Sequence, residues 1–220
     1  MTDLPSTAPP ASTIPPALIT SETPDTPDAP DTPETPDVIE WLHDRKQAMA
    51  RARAERRPVL IDVYQDDCYG CDRLDLETFG DAHVIHAVRS RFIPLKLDLH
   101  GDREFAREHQ VFWTPTILVA DRSGRVRYTS PNFLPPGEFL DLLDIGEAMV
   151  LMRWRAYEES LALLAGLEYR SPNSVLLPEA IYWRGIAAYF RDGRSSTSAN
   201  AEWAELLSRF PDTIWAKRVP

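Results

Sequence analysis

The sequence predicts an α/β protein in which a mixed sheet flanked by helices is followed by an all-α extension of helical hairpins. Short apolar runs bounded by turn residues give the strands, and helical patterns alternate with them as far as about Glu147. Beyond that point only helical patterns remain, which sets the extension apart from the sheet. At 220 residues, with 43% hydrophobic and 10% aromatic content, the chain can form one domain of ordinary size and a smaller second one.

Residues 1–37 read differently from the rest. They hold ten of the twenty prolines and seven acids with no Lys or Arg, and TPDTPDAPDTPETPD is a near-regular Thr/Ala-Pro-acid repeat. Such a segment buries too little apolar surface to offset its ordering entropy. A disordered, partly polyproline-like leader is expected, either a solubilising segment or a spacing or docking arm. Setting those seven acids aside leaves −3 of the formal net charge of −10 for the remainder. That balance gives no reason to expect nucleic acid or a membrane as partner. No run of about 18 apolar residues marks a membrane span. The acidic, proline-broken start lacks the pattern of a secretory signal, so the expected location is the cytoplasm.

Val38 to Arg57 contains no Pro or Gly and follows Asp37, a residue type suited to an N-cap, which predicts a helix over that span ended by Pro58. VLIDVYQ (Val59 to Gln65) reads as a strand buried on both faces. RFIPLKLDL (Arg91 to Leu99) and TILVA (Thr116 to Ala120) read as further strands, and the turn DRSG leads into RVRYTS as a hairpin partner. Helices are expected from Gly70 to about Phe79, from Ala82 to Arg91, from Asp102 to His109 and near Pro136 to Ile145. In the extension, Gly185, Ala187 and Ala188 stand among large aromatics, as in closely meshed antiparallel helices. Trp154, Trp183, Trp203 and Trp215 are core candidates.

Cys68 and Cys71 are the chain's two cysteines. In a reducing compartment so close a pair is catalytic or metal-binding rather than a staple, because a bridge over so short a loop stabilises little. A Cys at a helix N-terminus meets unpaired N–H groups and the positive end of the dipole, which lower a thiol pKa from about 8.5 toward roughly 3.5 to 7.5. Asp66, Asp67, Asp72 and Asp75 oppose that effect here. The metal alternative is Cys68-x2-Cys71-x11-His83-x2-His86, which misses a Cys2His2 zinc pattern in both spacings. No metal is therefore expected, and His100 and His109 have no partner spacing.

PVLIDVYQDDCYGC, with VFWTPT following about 44 residues after the second Cys, resembles the thioredoxin-like superfamily, in particular its thioredoxin-7 type members, over roughly Val38 to Ile145. The resemblance implies that Cys68 is the nucleophile and Cys71 the resolving thiol. It implies that Thr114-Pro115 is a cis bond lying against the disulfide and presenting backbone to substrate, with Tyr69, Gly70, Thr114 and Pro115 as substrate-binding residues. Asp62, six residues before Cys68, matches the family's buried acid, and Lys96 matches the lysine that pairs with it. The chain departs from Trp-Cys-Gly-Pro-Cys by placing Asp67 before the nucleophile and Gly70 between the cysteines.

EAIYWRGIAAYFRDG (Glu179 to Gly193) and AEWAELLSRF resemble tetratricopeptide-type hairpins. So few repeats are expected to lean on the preceding domain or on a partner. The resulting division is a leader over residues 1–37, a thioredoxin-like domain over 38–146 and a tetratricopeptide-like extension over 147–220. The expected function is thiol-disulfide oxidoreductase, a protein disulfide reductase acting on protein disulfides with no cofactor beyond the cysteine pair. The rival is an interaction, adaptor or redox-sensing protein whose helical extension binds a protein partner.

Overall fold

The computed structural model describes residues 38–220, and the expected leader over residues 1–37 lies outside them. Four apolar segments form the strands: β1 (Val59–Tyr64), β2 (Ile93–Asp98), β3 (Thr116–Ala120) and β4 (Val126–Pro131). They make one mixed sheet in the order β2-β1-β3-β4. β1 runs parallel to β2 and antiparallel to β3, and β3 and β4 form the expected antiparallel hairpin. The parallel pairing sets Asp62 opposite Lys96. At the hairpin turn, buried Asp121 accepts the N–H of Ser123 at 2.8 Å and the Arg127 Nε–H at 2.7 Å, while Gly124 takes φ 87°.

Helices cover both faces because β1 is apolar on both. Val59, Ile61 and Val63 pack with Ala48 and Ala52 of α1 (Arg45–Glu55) and with Phe105 of α4 (Arg103–Glu108). Leu60 turns to the other face. There it joins Leu74 and Phe79, Val84 and Val88 of α3 (Ala82–Arg91), and Phe139, Leu142 and Leu143 of α5 (Pro136–Arg153). Between β1 and α3 the chain forms α2 (Tyr69–Arg73) and one π-helical turn over Leu74–Thr78.

The helix expected from Val38 starts later. Asp44, not Asp37, is the N-cap, accepting the Gln47 N–H at 2.7 Å, and α1 ends at Arg56 in the left-handed region. The preceding segment is extended: the Leu42 N–H donates to Pro94 at 3.0 Å, and the Lys96 N–H donates to Leu42 at 2.8 Å. Its apolar residues alternate between the two faces, with Ile39 and Trp41 in one cluster and Leu42 in the other. Capping chemistry at Asp44 and pairing along the edge of β2 outweigh the helical propensity of residues 38–43.

The extension continues from α5 through α6 (Tyr157–Arg170), α7 (Leu177–Arg191) and α8 (Ser196–Arg209), each packed on the next. α5 runs unbroken past residue 146 and serves both cores, since Leu142 and Leu143 face the sheet cluster while Ala148 lies in the helical one. A second tie is polar: the Tyr128 hydroxyl on β4 donates to buried Glu179 on α7 at 3.2 Å. Trp203 is buried, and its indole N–H donates to the Tyr182 carbonyl at 3.0 Å; Trp154, Trp183 and Trp215 are half-buried. Gly185 is where α8 comes closest, because a Cβ there would lie 2.2 Å from the Trp203 indole nitrogen.

Candidate active site

The site begins where β1 ends. Asp67 makes the turn with φ 56°, a conformation Asp tolerates better than most side chains. Cys68 follows as the N-cap of α2, and its Sγ accepts the Cys71 N–H at 3.2 Å. The two cysteines are joined as a disulfide with their Cα atoms 5.2 Å apart, and both are largely buried.

The loop before β3 closes over this pair. The Thr114-Pro115 bond is cis, and the Thr114 hydroxyl donates to Cys68 Sγ at 3.3 Å. The Pro115 carbonyl accepts the Asn132 N–H at 2.8 Å, which ties the loop to the end of β4. Gly70 is required by this contact, since a Cβ there would lie 2.8 Å from Pro115 Cδ. A cleft of about 670 Å³ opens beside the disulfide, with Cys68, Gly70, Thr114 and Pro115 in its wall and Tyr69, Phe112 and Trp113 on its rim. Three exposed rings therefore border the cleft that Cys68 lines.

Asp62 and Lys96 lie on neighbouring strands. Asp62 is 2% exposed; its Oδ2 is 3.5 Å from Lys96 Nζ, while its Oδ1 has no hydrogen-bond partner. Burial pushes the Asp62 carboxyl up to about 7, against the opposing pull of Lys96. The same ammonium donates to Asp75 at 2.5 Å, in the π-helical turn that follows α2. Trp41, Tyr64 and Phe79 surround it with ring centroids 5.8, 5.2 and 5.7 Å away. Asp75 belongs to the acidic ring expected to oppose a thiolate, yet its charge is engaged by Lys96, whereas Asp66, Asp67 and Asp72, exposed as Asp75 is, make no ion pair among the described residues.

Of the residues expected to matter, Cys68, Tyr69, Gly70, Thr114 and Pro115 share the cleft, and Cys71 joins it through its bond to Cys68. Sequence reasoning missed Asp75 as a Lys96 partner, since 21 positions separate them and no local pattern links them. It also missed Phe112 and Trp113, although two large aromatics directly before a Thr-Pro step, outside any strand, were a usable signal. His83 and His86 are both exposed on α3, and among the described residues no three His, Cys, Asp or Glu side chains are grouped as a metal site would need.

A family model described as a thioredoxin-like domain matches residues 45–146. The thiol:disulfide interchange protein DsbD of Pseudoalteromonas atlantica is 30% identical over 93 residues, 40% of this chain and 16% of its own length. UBX domain-containing protein 2 of Schizosaccharomyces pombe is 26% identical over 160 residues, 71% of this chain and 36% of its own length. The chain thus spans well under half of either relative. A thioredoxin from Thermus thermophilus superposes with a TM-score of 0.44 at 23% identity, covering 48% of this chain and 85% of that one. The oxidised C-terminal domain of Neisseria meningitidis DsbD gives 0.42 at 23% identity, covering 48% and 98%. Four mixed strands, helices on both faces, a Cys-x-x-C disulfide opening α2 and a cis-proline loop against it make residues 45–146 of this chain a thioredoxin-like domain.

Proposed function

We propose that this chain is a thiol-disulfide oxidoreductase that reduces or exchanges disulfides of other proteins. The observation that carries the reading is the Cys68-Cys71 disulfide set in an open cleft beside the cis Thr114-Pro115 bond. In the reduced protein the Cys68 thiolate attacks a substrate disulfide, forming a mixed disulfide and releasing one substrate sulfur as thiolate. The Cys71 thiolate then attacks Cys68 Sγ, releasing the second substrate thiolate and closing the Cys68-Cys71 bond. Two electrons pass to the substrate, and no cofactor enters. The Cys71 N–H and the Thr114 hydroxyl, both directed at Cys68 Sγ, favour negative charge there. Asp62 is assigned as acceptor of the Cys71 proton, because a carboxyl poised near 7 takes and returns a proton at neutral pH. The name of the Pseudoalteromonas relative, a thiol:disulfide interchange protein, supports the reading.

The test is trapping. Reduced Cys71→Ser protein mixed with insulin is expected to accumulate a covalent adduct through Cys68 that dithiothreitol releases, and Cys68→Ser protein none. Absence of the adduct from folded Cys71→Ser protein contradicts the reading.

A second reading, an interaction protein, is supported by the alignment with UBX domain-containing protein 2, which extends over 71% of this chain under a name that carries no thiol chemistry. On that reading Cys68→Ser protein keeps its partner.

A further inference from the structure

The cleft also bears on which substrates are taken, an inference that rests on the exchange reaction proposed above. Tyr69 is 78% exposed, Phe112 87% and Trp113 59%, and all three border the same cleft as Cys68. None belongs to a hydrophobic cluster of the fold. Rings left together in water beside a reactive bond, with no packing role, form a binding surface for apolar groups.

Charge narrows the partner further. Asp67 lines the cleft, and Asp66 and Asp72 are exposed on either side of the cysteines in sequence. Among the described residues none of these three carboxylates has a cation within ion-pairing distance. The next acids along the chain differ, for Asp75 is held by Lys96 at 2.5 Å and Glu77 by Arg73 at 2.8 Å. Uncompensated carboxylates and the electron-rich faces of the rings attract the same group, a guanidinium or ammonium. They repel an acid.

We propose that this cleft selects extended polypeptide segments in which the reacting cysteine is flanked by a basic side chain and an aromatic or long aliphatic one. The basic group is held by Asp67 and the rings of Phe112 and Trp113, while the segment's backbone lies along the Thr114-Pro115 edge. Segments with acidic flanks are disfavoured by the same charges.

The experiment measures the rate at which reduced protein is oxidised by three short peptide disulfides that differ only beside the cysteine: Arg with Phe, Glu with Phe, and Arg with Ser. Hydroxyethyl disulfide, uncharged and without flanks, serves as reference. The Arg-Phe peptide is expected to react about fivefold faster than the Glu-Phe peptide, the scale of one exposed charge pair gained against one repelled. That ratio shrinks in about 0.5 M salt. Asp67→Asn lowers the Arg-to-Glu ratio, and Trp113→Ser lowers the Phe-to-Ser ratio; ratios are unmoved by a general loss of activity. Equal rates for all three peptides, with hydroxyethyl disulfide still reduced, overturn the proposed selectivity and leave the exchange reaction standing. Failure to reduce any disulfide, the reference included, overturns both.

Discussion

In the sheet domain Lys96 sits between Asp62 and Asp75, whereas in the helical extension Arg184 sits among Glu168, Glu202 and Glu205. Arg184 is nearly buried and spends three guanidinium nitrogens on three carboxylates, at 2.7, 2.5 and 2.5 Å, and Arg209 binds two of the same acids. Although burial opposes it, hydrogen bonds from Arg184 and Arg209 hold Glu168 well below the usual carboxylate range. Each carboxylate there has a guanidinium partner, so the cluster clamps α6, α7 and α8 together. Asp62 shares a single ammonium with Asp75 and keeps one oxygen unpaired, and burial leaves it titrating near neutral pH. Complete pairing builds structure, and incomplete pairing leaves a proton that can move.

The largest expected effect separates the two regions outright. Cys68→Ser is expected to abolish disulfide reduction in an insulin turbidity assay. It should cost no more than about 2 kcal/mol of stability relative to the oxidised protein, because the loop closed by the bond is so short. A variant that keeps wild-type turnover would transfer the chemistry away from the sheet domain.

Asp62→Asn sharpens the contrast through pH. The folded state holds the Asp62 proton up to about 7, whereas the unfolded chain releases it near the ordinary 3.8. Wild-type stability therefore falls as pH rises between those values, by up to about 4 kcal/mol from this group. Urea midpoints of the oxidised protein measured from pH 4 to 8 should show that fall in wild type and a flatter profile in Asp62→Asn. The rate of mixed-disulfide resolution should also lose its rise through pH 7.

Arg184→Met leaves Glu168, Glu202 and Glu205 with only Arg209, and Arg209 reaches two of them. Since each acid keeps some contact with water, a loss of about 3 kcal/mol is expected, at the lower end for a broken buried network. Thermal unfolding reads it, while disulfide exchange by the folded protein stays at wild-type rates.

The smallest effects come from a matched pair of glycines. Gly185→Ala drives a methyl into Trp203 and should lower stability by about 1 to 3 kcal/mol with exchange unchanged. Gly70→Ala pushes against Pro115 and should slow exchange by more than it lowers the unfolding midpoint. Equal behaviour of the two would erase the distinction between the regions.

The strands and the disulfide site were legible because their signals are local. An apolar run ending one short turn before Cys-x-x-C marks β1 and the cysteines, and the Thr-Pro step opening another apolar run was placed against them by the resemblance to the thioredoxin-like superfamily. The start of α1 was not legible in the same way: residues 38–43 carry no helix breaker, and it is the pairing of Leu42 with Pro94 and Lys96, with the cap at Asp44, that keeps them extended. Asp75 was hidden for a related reason, since its role depends on Lys96 arriving from β2. Phe112 and Trp113 were visible as letters, but their exposure is a property of the folded loop.

The most direct measurement is the equilibrium of the Cys68-Cys71 pair in graded glutathione or dithiothreitol buffers, read by thiol alkylation and mass. The account predicts a reversible two-electron transition, with both cysteines changing together, at a potential near or below the cytosolic glutathione poise of roughly −220 to −320 mV. A pair that fails to re-form its bond after reduction, or that leaves Cys68 and Cys71 alkylating independently, would contradict the central claim that this cleft carries disulfide exchange.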